Sequence, residues 1–241
     1  MNPPEKIYRL LFAHFGPRGW WPTTPKGKLQ PVYYPKLKNR RLTSREKFEI
    51  CVGAILTQNT AWSNVTKALH QLHIHKMMDP ERMMNCPPAK LAQLIRSSGY
   101  FRQKAKKLHI FCKYLMDHYG GDSGKMLDRP WEPLRKELLD LWGIGPETAD
   151  SMLLYAGGHP VFVVDAYTRR AGNRIGLFKT HDYDEIQRYF AKSLPRSPQI
   201  YNEYHALIVE LAKKTCKTSP QCPQCPLLSQ CRWASRTNRI I

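Results

Sequence analysis

The chain of 241 residues predicts an all-α protein. Three observations predict it. Apolar residues recur at helical spacing in one stretch after another. Proline and glycine interrupt those stretches at short intervals. Strand signals are poor, and the short apolar run 161–164 is the single candidate.

The first element is an amphipathic segment from Pro4 to Phe15, ended by Gly16-Pro17. Residues 17–42 contain five prolines and little periodicity, which predicts an irregular loop. Thr43 and Ser44 are N-cap candidates for a helix running through Phe48, Cys51, Val52, Ile55 and Leu56. Helical spacing then predicts helices over 62–74, 88–97, 101–118, 132–141, 147–156, 165–176, 183–194 and 199–214. No internal repeat is visible. The last 26 residues read as a compact metal-bound appendix rather than a separate domain.

Lysine plus arginine number 38 against 19 acidic residues, a net charge of +19. With 42% hydrophobic residues the chain can bury a core, which excludes a disordered basic tail. No apolar run approaches the roughly 18 residues of a membrane span. The N-terminus lacks an apolar signal core and a cleavage site. A cytoplasmic protein is expected, nucleoid-associated in a prokaryote, and monomeric. Such a charge attracts polyanions at long range. Between Glu5 and Glu46 there is no acidic residue, but there are Lys6, Arg9, Arg18, Lys26, Lys28, Lys36, Lys38, Arg40, Arg41 and Arg45. Trp20, Trp21, Tyr33 and Tyr34 lie among them. The mixture suits phosphates and unstacked bases. It equally describes a basic loop whose aromatics pack on the body.

Seven cysteines is an odd count, and four crowd into the final segment, so a secreted disulfide framework is not expected. Cys216, Cys222, Cys225 and Cys231 are separated by five, two and five residues, with Pro220, Pro223 and Pro226 nearby. Four thiolates on a turn-rich segment can close around one metal centre, either zinc or an iron–sulfur cluster. Four ligands leave no open position, so the role is structural rather than catalytic.

Leu141-Trp142-Gly143-Ile144-Gly145 joins two amphipathic segments, and Pro146 suits the first turn of the second. Glycines two apart permit a tight turn and close approach of a phosphate to backbone N–H groups. A plain helix–helix turn would look the same. Further on, Val161-Phe162-Val163-Val164 delivers Asp165 to the start of a helix. That carboxylate can cap the helix, or stand where positive charge develops in a reaction, and the two roles are compatible.

The hairpin, the Gly157-Gly158-His159-Pro160 break, Asp165 and the four cysteines occur in an order that resembles the helix-hairpin-helix DNA glycosylases of the endonuclease III superfamily. The resemblance runs from about Arg45 to Cys231. It implies a two-lobed fold with duplex DNA across the cleft. One lobe would be a six-helix barrel with the hairpin, residues 46–160. The other would combine 1–45 with 161–241 and carry the cluster loop, 216–231. It further implies a 4Fe–4S cluster rather than zinc on the four cysteines. Gly143, Gly145 and Thr148 would contact the DNA backbone, and Asp165 would be the catalytic carboxylate. Ala54-Ile55-Leu56-Thr57-Gln58-Asn59-Thr60 resembles the segment whose glutamine enters the DNA near the lesion, which points to Gln58.

Two positions depart from the family pattern. The first cysteine gap holds five residues where six are usual. Glu147 stands where lyase-competent members carry lysine, and glutamate cannot form a Schiff base with the sugar. The resemblance therefore implies base removal without strand cleavage. Within the superfamily the chain is most similar to 3-methyladenine glycosylases of the endonuclease III type, through Trp20-Trp21-Pro22, Thr57 to Thr60 followed by Trp62, and Glu147. In that branch aromatics sandwich the extruded base, which implies Trp21 and Trp62, with Glu147 and Lys213 also at the base pocket.

Overall fold

The computed structural model describes residues 2–36 and 40–236. Lys38 and the end of the cysteine appendix, 237–241, lie outside the described residues. In chain order the α-helices are α1 (Pro3–Phe15), α2 (Ser44–Leu56), α3 (Trp62–Ile74), α4 (Pro80–Asn85), α5 (Pro88–Leu94), α6 (Phe101–Tyr119) and α7 (Ser123–Leu127). They continue with α8 (Trp131–Asp140), α9 (Pro146–Ser151), α10 (Ala166–Ile175), α11 (Tyr183–Ser193), α12 (Pro198–Lys214) and α13 (Arg232–Arg236). The protein is all-α: the described residues form no sheet, only an isolated bridge between Thr23 and Val32.

Each long helix sits where apolar spacing places it. The helices absent from the sequence reading are α4, α7 and α13, each too short to display a period. Two announce themselves only by their caps. Asp79 accepts the amide of Arg82 at 2.9 Å, and Asp122 accepts that of Gly124 at 2.8 Å. The stretch predicted as one helix over 147–156 changes character at Met152, where α9 widens into a π-helical turn, Met152–Ala156. The run 161–164 is extended and buried but pairs with no strand. Its apolar character reflects a core of rings instead. Phe162 stacks on Phe190 with centroids 4.0 Å apart, and Tyr201 and Tyr204 meet it edge-on.

The chain divides into two compact units, Trp21–His159 and the combination of Met1–Trp20 with Pro160–Ile241. In the first, α2 is the central helix. Its start is locked by a capping box in which Thr43 and Glu46 satisfy each other's backbone amides. Every residue from Phe48 to Leu56 is buried, as expected of a helix surrounded by others. Around it pack α3, α6, α7, α9 and the π turn. In the second unit α12 is the axis, against which α1 and α10 pack.

By their contacts residues 21–45 fall in the unit of α2 to α9, whereas the resemblance implied a lobe shared with the cysteine loop. Buried carboxylates on α2 are the reason. Thr24 donates through both its amide and its hydroxyl to Glu49, at 2.8 and 2.7 Å, and the Thr23 hydroxyl reaches Glu46 at 3.2 Å. The basic loop spends part of its charge in the same way. Arg40 pairs with Glu46 and lies 3.8 Å over the Tyr34 ring, while Arg45 bonds the Thr24 carbonyl. Lys26, Lys28, Lys36 and Tyr33 remain exposed. The loop is thus packed on the body at its ends and solvated in its middle.

Candidate active site

The hairpin lies in the first unit, between α8 and α9. Gly143 has φ +84°, a left-handed conformation that favours glycine, and an added Cβ would meet the aliphatic chain of Lys107. Gly145 caps α9, and both the Thr148 and Ala149 amides return to its carbonyl at 3.0 Å. Arg135 on α8 forms an ion pair with the buried Asp150 of α9 at 2.7 Å, which fixes the angle between the two helices. Trp142 projects from the turn, half exposed, with the Lys106 ammonium 4.4 Å above its ring.

Gln58 is engaged by this hairpin rather than projecting from the molecule. Its amide nitrogen donates to the Gly143 carbonyl at 3.0 Å and to the Thr148 hydroxyl at 2.9 Å, while Lys107 donates to its oxygen. Thr148 is correspondingly buried, and its side chain braces the hairpin instead of facing outward. The exposed member of the loop is the next residue, Asn59, whose φ of +51° is left-handed. Glu147 is exposed in the first turn of α9.

Trp21 and Trp62 do come together, but not as two parallel plates. Their rings meet edge to face, with centroids 5.4 Å apart and planes at 88°. Trp21 also contacts Tyr155 of the π turn at 5.0 Å. Gly53 underlies it: a Cβ there would lie 3.3 Å from the Trp21 indole nitrogen. The pair as arranged leaves no slot between the rings.

In the second unit Asp165 sits where the apolar run ends, and it is buried. One carboxylate oxygen accepts the Thr168 amide at 2.6 Å, so it is the N-cap of α10. The other lies 3.5 Å from Nε2 of His205, a buried residue on α12. Burial by itself pushes the carboxyl pKa up. His205 and the Thr168 amide outweigh that and leave it below the ordinary aspartate range. His205 is held in turn by the edge of the Trp20 ring at 5.9 Å, and the Asn202 side chain bonds the Trp20 carbonyl at 3.0 Å. Lys213 is exposed in the last turn of α12. It lies two helical turns beyond His205, roughly 12 Å along the axis.

The cysteine segment wraps the C-terminal end of α10. Arg170 donates to the Cys216 carbonyl at 2.9 Å, and a guanidinium nitrogen of Arg174 lies 3.7 Å from the Cys216 sulfur. The Cys231 thiol approaches the Arg174 carbonyl at 3.4 Å. None of the seven cysteines is paired in a disulfide in this structure. Burial pushes the Cys216 and Cys225 thiols up, and both feel the charge of Cys231. Among the described residues no three His, Cys, Asp or Glu side chains are placed to share one metal ion. A single zinc draws all its thiolates to about 2.3 Å. An iron–sulfur cubane instead takes one thiolate per iron. Cys216, Cys225 and Cys231 lie within electrostatic reach of one another, and Arg170 and Arg174 flank Cys216, where guanidinium charge offsets thiolate charge in either donor set.

His205, Lys107 and Trp142 were not singled out from sequence. Asp165 and His205 are 40 residues apart with no local signal linking them. A hint of Lys107 existed in the basic run that opens α6, Arg102 to Lys107.

A family model for the HhH-GPD superfamily of base excision DNA repair proteins matches residues 52–196. A protein of Methanocaldococcus jannaschii, whose name assigns it provisionally to the DNA repair glycosylases, is 39% identical over 94% of this chain and 94% of its own. The crystal structure of H. pylori 3-methyladenine DNA glycosylase bound to 1,N6-ethenoadenine superposes with a TM-score of 0.69. It is 27% identical and covers 88% of this chain and 97% of that one. A non-covalent endonuclease III–DNA complex gives a TM-score of 0.75 at 27% identity, over 99% and 100% of the two chains. The hairpin, the capping aspartate and these likenesses converge, and the chain belongs to the HhH-GPD superfamily of base excision DNA repair glycosylases.

Proposed function

We propose that this protein is a monofunctional DNA glycosylase that binds double-stranded DNA as a monomer and removes an alkylated, 3-methyladenine-like purine, leaving an abasic site. The observation that carries the reading is Asp165: a buried carboxylate kept ionised by His205 and the Thr168 amide. Cleaving an N-glycosidic bond builds oxocarbenium character on the sugar. A carboxylate fixed in its charged form stabilises that cation and orients or deprotonates the attacking water. An alkylated purine is already cationic and leaves without a strong general acid.

The target nucleotide must leave the stack, because its glycosidic bond is out of reach inside the duplex. Gly143 and Gly145 would present the hairpin backbone to phosphates, with Thr148 buttressing the turn. Gln58 would fill the vacated space, for which its bonds to Gly143, Thr148 and Lys107 must first break. Trp62 and Trp21 would offer ring faces to the extruded base, and a cationic base gains attraction over a neutral one. Glu147 and Lys213 would belong to the base pocket by resemblance alone, and Glu147 supplies no amine for lyase chemistry. Cys216, Cys222, Cys225 and Cys231 would hold a 4Fe–4S cluster, which when bound ties the C-terminal loop into a fixed shape.

The deciding experiment is base release from a panel of duplexes carrying alkylated, deaminated and oxidised bases. Wild type is run beside Asp165→Asn under single-turnover conditions. Excision of an alkylated purine is expected, with a loss of about 10²–10⁴-fold in the variant and unchanged duplex binding. Asparagine caps a helix as well as aspartate, so folding is retained. Full activity in the variant would remove Asp165 from the reaction. Tight binding with no base released by wild type would make the protein a damage-binding relative instead.

A further inference from the structure

Lys104 is the anomaly of the first unit: a lysine only 1% exposed, in the first turn of α6. Its ammonium donates three hydrogen bonds, to the Leu56 carbonyl at 2.8 Å, the Thr60 hydroxyl at 2.7 Å and the Ser98 carbonyl at 2.6 Å. The three acceptors come from three different segments: the end of α2, the loop that follows it, and the 3-10 turn Arg96–Ser98. The neighbouring charge that acts on it is another cation, Lys107, and burial together with that neighbour lowers its pKa to about 8. An ammonium buried without a countercharge is expensive, and three neutral segments could be joined by apolar packing at lower cost. What lysine offers in return is three donors on one atom.

The segments it ties are those with unusual backbone. Between Leu56 and Thr60 lies Asn59, left-handed at φ +51°, and directly after Ser98 come Gly99 at +66° and Tyr100 at +45°. Left-handed tyrosine is rare, and strain of this kind persists only where surrounding bonds over-determine it. Asn59 is exposed, and Tyr100 is 69% exposed, among the most exposed large side chains described. Thr60 adds a direct bond to the Ser98 carbonyl, so the two loops are laced together at their bases while their tips project.

We propose that Lys104 is a positioning residue, holding the 57–60 loop and the 98–100 turn in one fixed arrangement through which the protein tells damaged from undamaged duplex. The inference rests on the reading that the 57–60 loop meets DNA. Lys104 touches neither DNA nor the reacting atoms, and acts through the two loops.

The test uses the full chain as Lys104→Met, which keeps length and removes the donors, and Thr60→Val, a milder cut of the same lacing. Three quantities are measured: thermal unfolding, binding to a duplex with and without an abasic-site analogue, and amide hydrogen exchange at residues 57–60 and 98–100. Lys104→Met is expected to exchange faster at both loops. Its preference for the abasic duplex should fall about tenfold or more while affinity for undamaged duplex is kept, since a small misplacement of a positioned group costs up to about 10²-fold. Thr60→Val moves the same way by a smaller factor, and decides the matter if Lys104→Met does not fold. Lys104→Ala with added propylammonium should recover part of the preference, whereas propanol should not restore it. Wild-type preference in both variants, or rescue by propanol as readily as by propylammonium, overturns the proposal. If wild type itself shows no preference for the abasic duplex, the DNA reading of the loop fails. Unchanged exchange in the variants separately refutes the tie.

Discussion

The side-chain amide of Gln58 lies 3.0 Å from the carbonyl oxygen of Gly143 and 2.9 Å from the hydroxyl of Thr148. One residue of the loop after α2 thereby closes the hairpin turn from inside, with Lys107 completing the arrangement at the other end of the amide. The residue that the resemblance sends into DNA is here a brace of the hairpin turn.

Gln58→Ala should therefore weaken the hairpin before any chemistry is considered. Leaving the Gly143 carbonyl and the Thr148 hydroxyl without this partner costs about 1–3 kcal/mol. Urea unfolding would show the midpoint falling with an unchanged slope. Equal stability of variant and wild type would mean that the brace carries no weight.

His205→Ala removes the group that most strongly opposes burial at Asp165. The carboxyl pKa then rises, so the acid limb of single-turnover base release should move to higher pH. The sign for stability follows from the same shift. In wild type the folded pKa is depressed, so Asp165 contributes stability above the ordinary carboxylate value near 4. That contribution is lost as pH falls through the lower folded value. In the variant the folded value moves back toward the unfolded one, so that contribution shrinks while the onset of its loss stays at the unfolded value. Profiles of rate and of unfolding free energy against pH check both; an unmoved acid limb would detach His205 from the carboxylate.

Glu147 leads to a sharp expectation about covalent chemistry. Borohydride added during turnover should trap no protein–DNA adduct with wild type, because the hairpin position holds a carboxylate. Glu147→Lys should yield a trapped adduct on an abasic duplex, seen as a band of higher mass. A strong band from wild type would point to a bifunctional glycosylase and lyase.

The four-cysteine segment is expected to bind iron and acid-labile sulfide in equal amounts, with broad visible absorption. Cys225→Ser should lose the colour and lower the unfolding temperature, since α13 and the turns before it depend on the closed loop. A colourless protein holding one zinc would decide for the other donor chemistry.

Much of this protein was legible in its residues. Local spacing placed the long helices, because the period of apolar residues is a property of each segment alone. The glycine pair at 143 and 145, Asp165 as a helix cap, and the family follow from local patterns too. Tertiary structure decided what depends on partners distant in sequence. His205 is found only when α12 packs beside the start of α10. Trp21 and Trp62 meet edge to face, with Gly53 and Tyr155, distant in sequence, also packed against Trp21. Residues 21–45 join α2 because Glu46 and Glu49, buried there, require donors that this loop supplies. The physical reason is the same in each case: a buried polar or aromatic group takes its orientation from whatever satisfies it, and the sequence does not say which segment that will be.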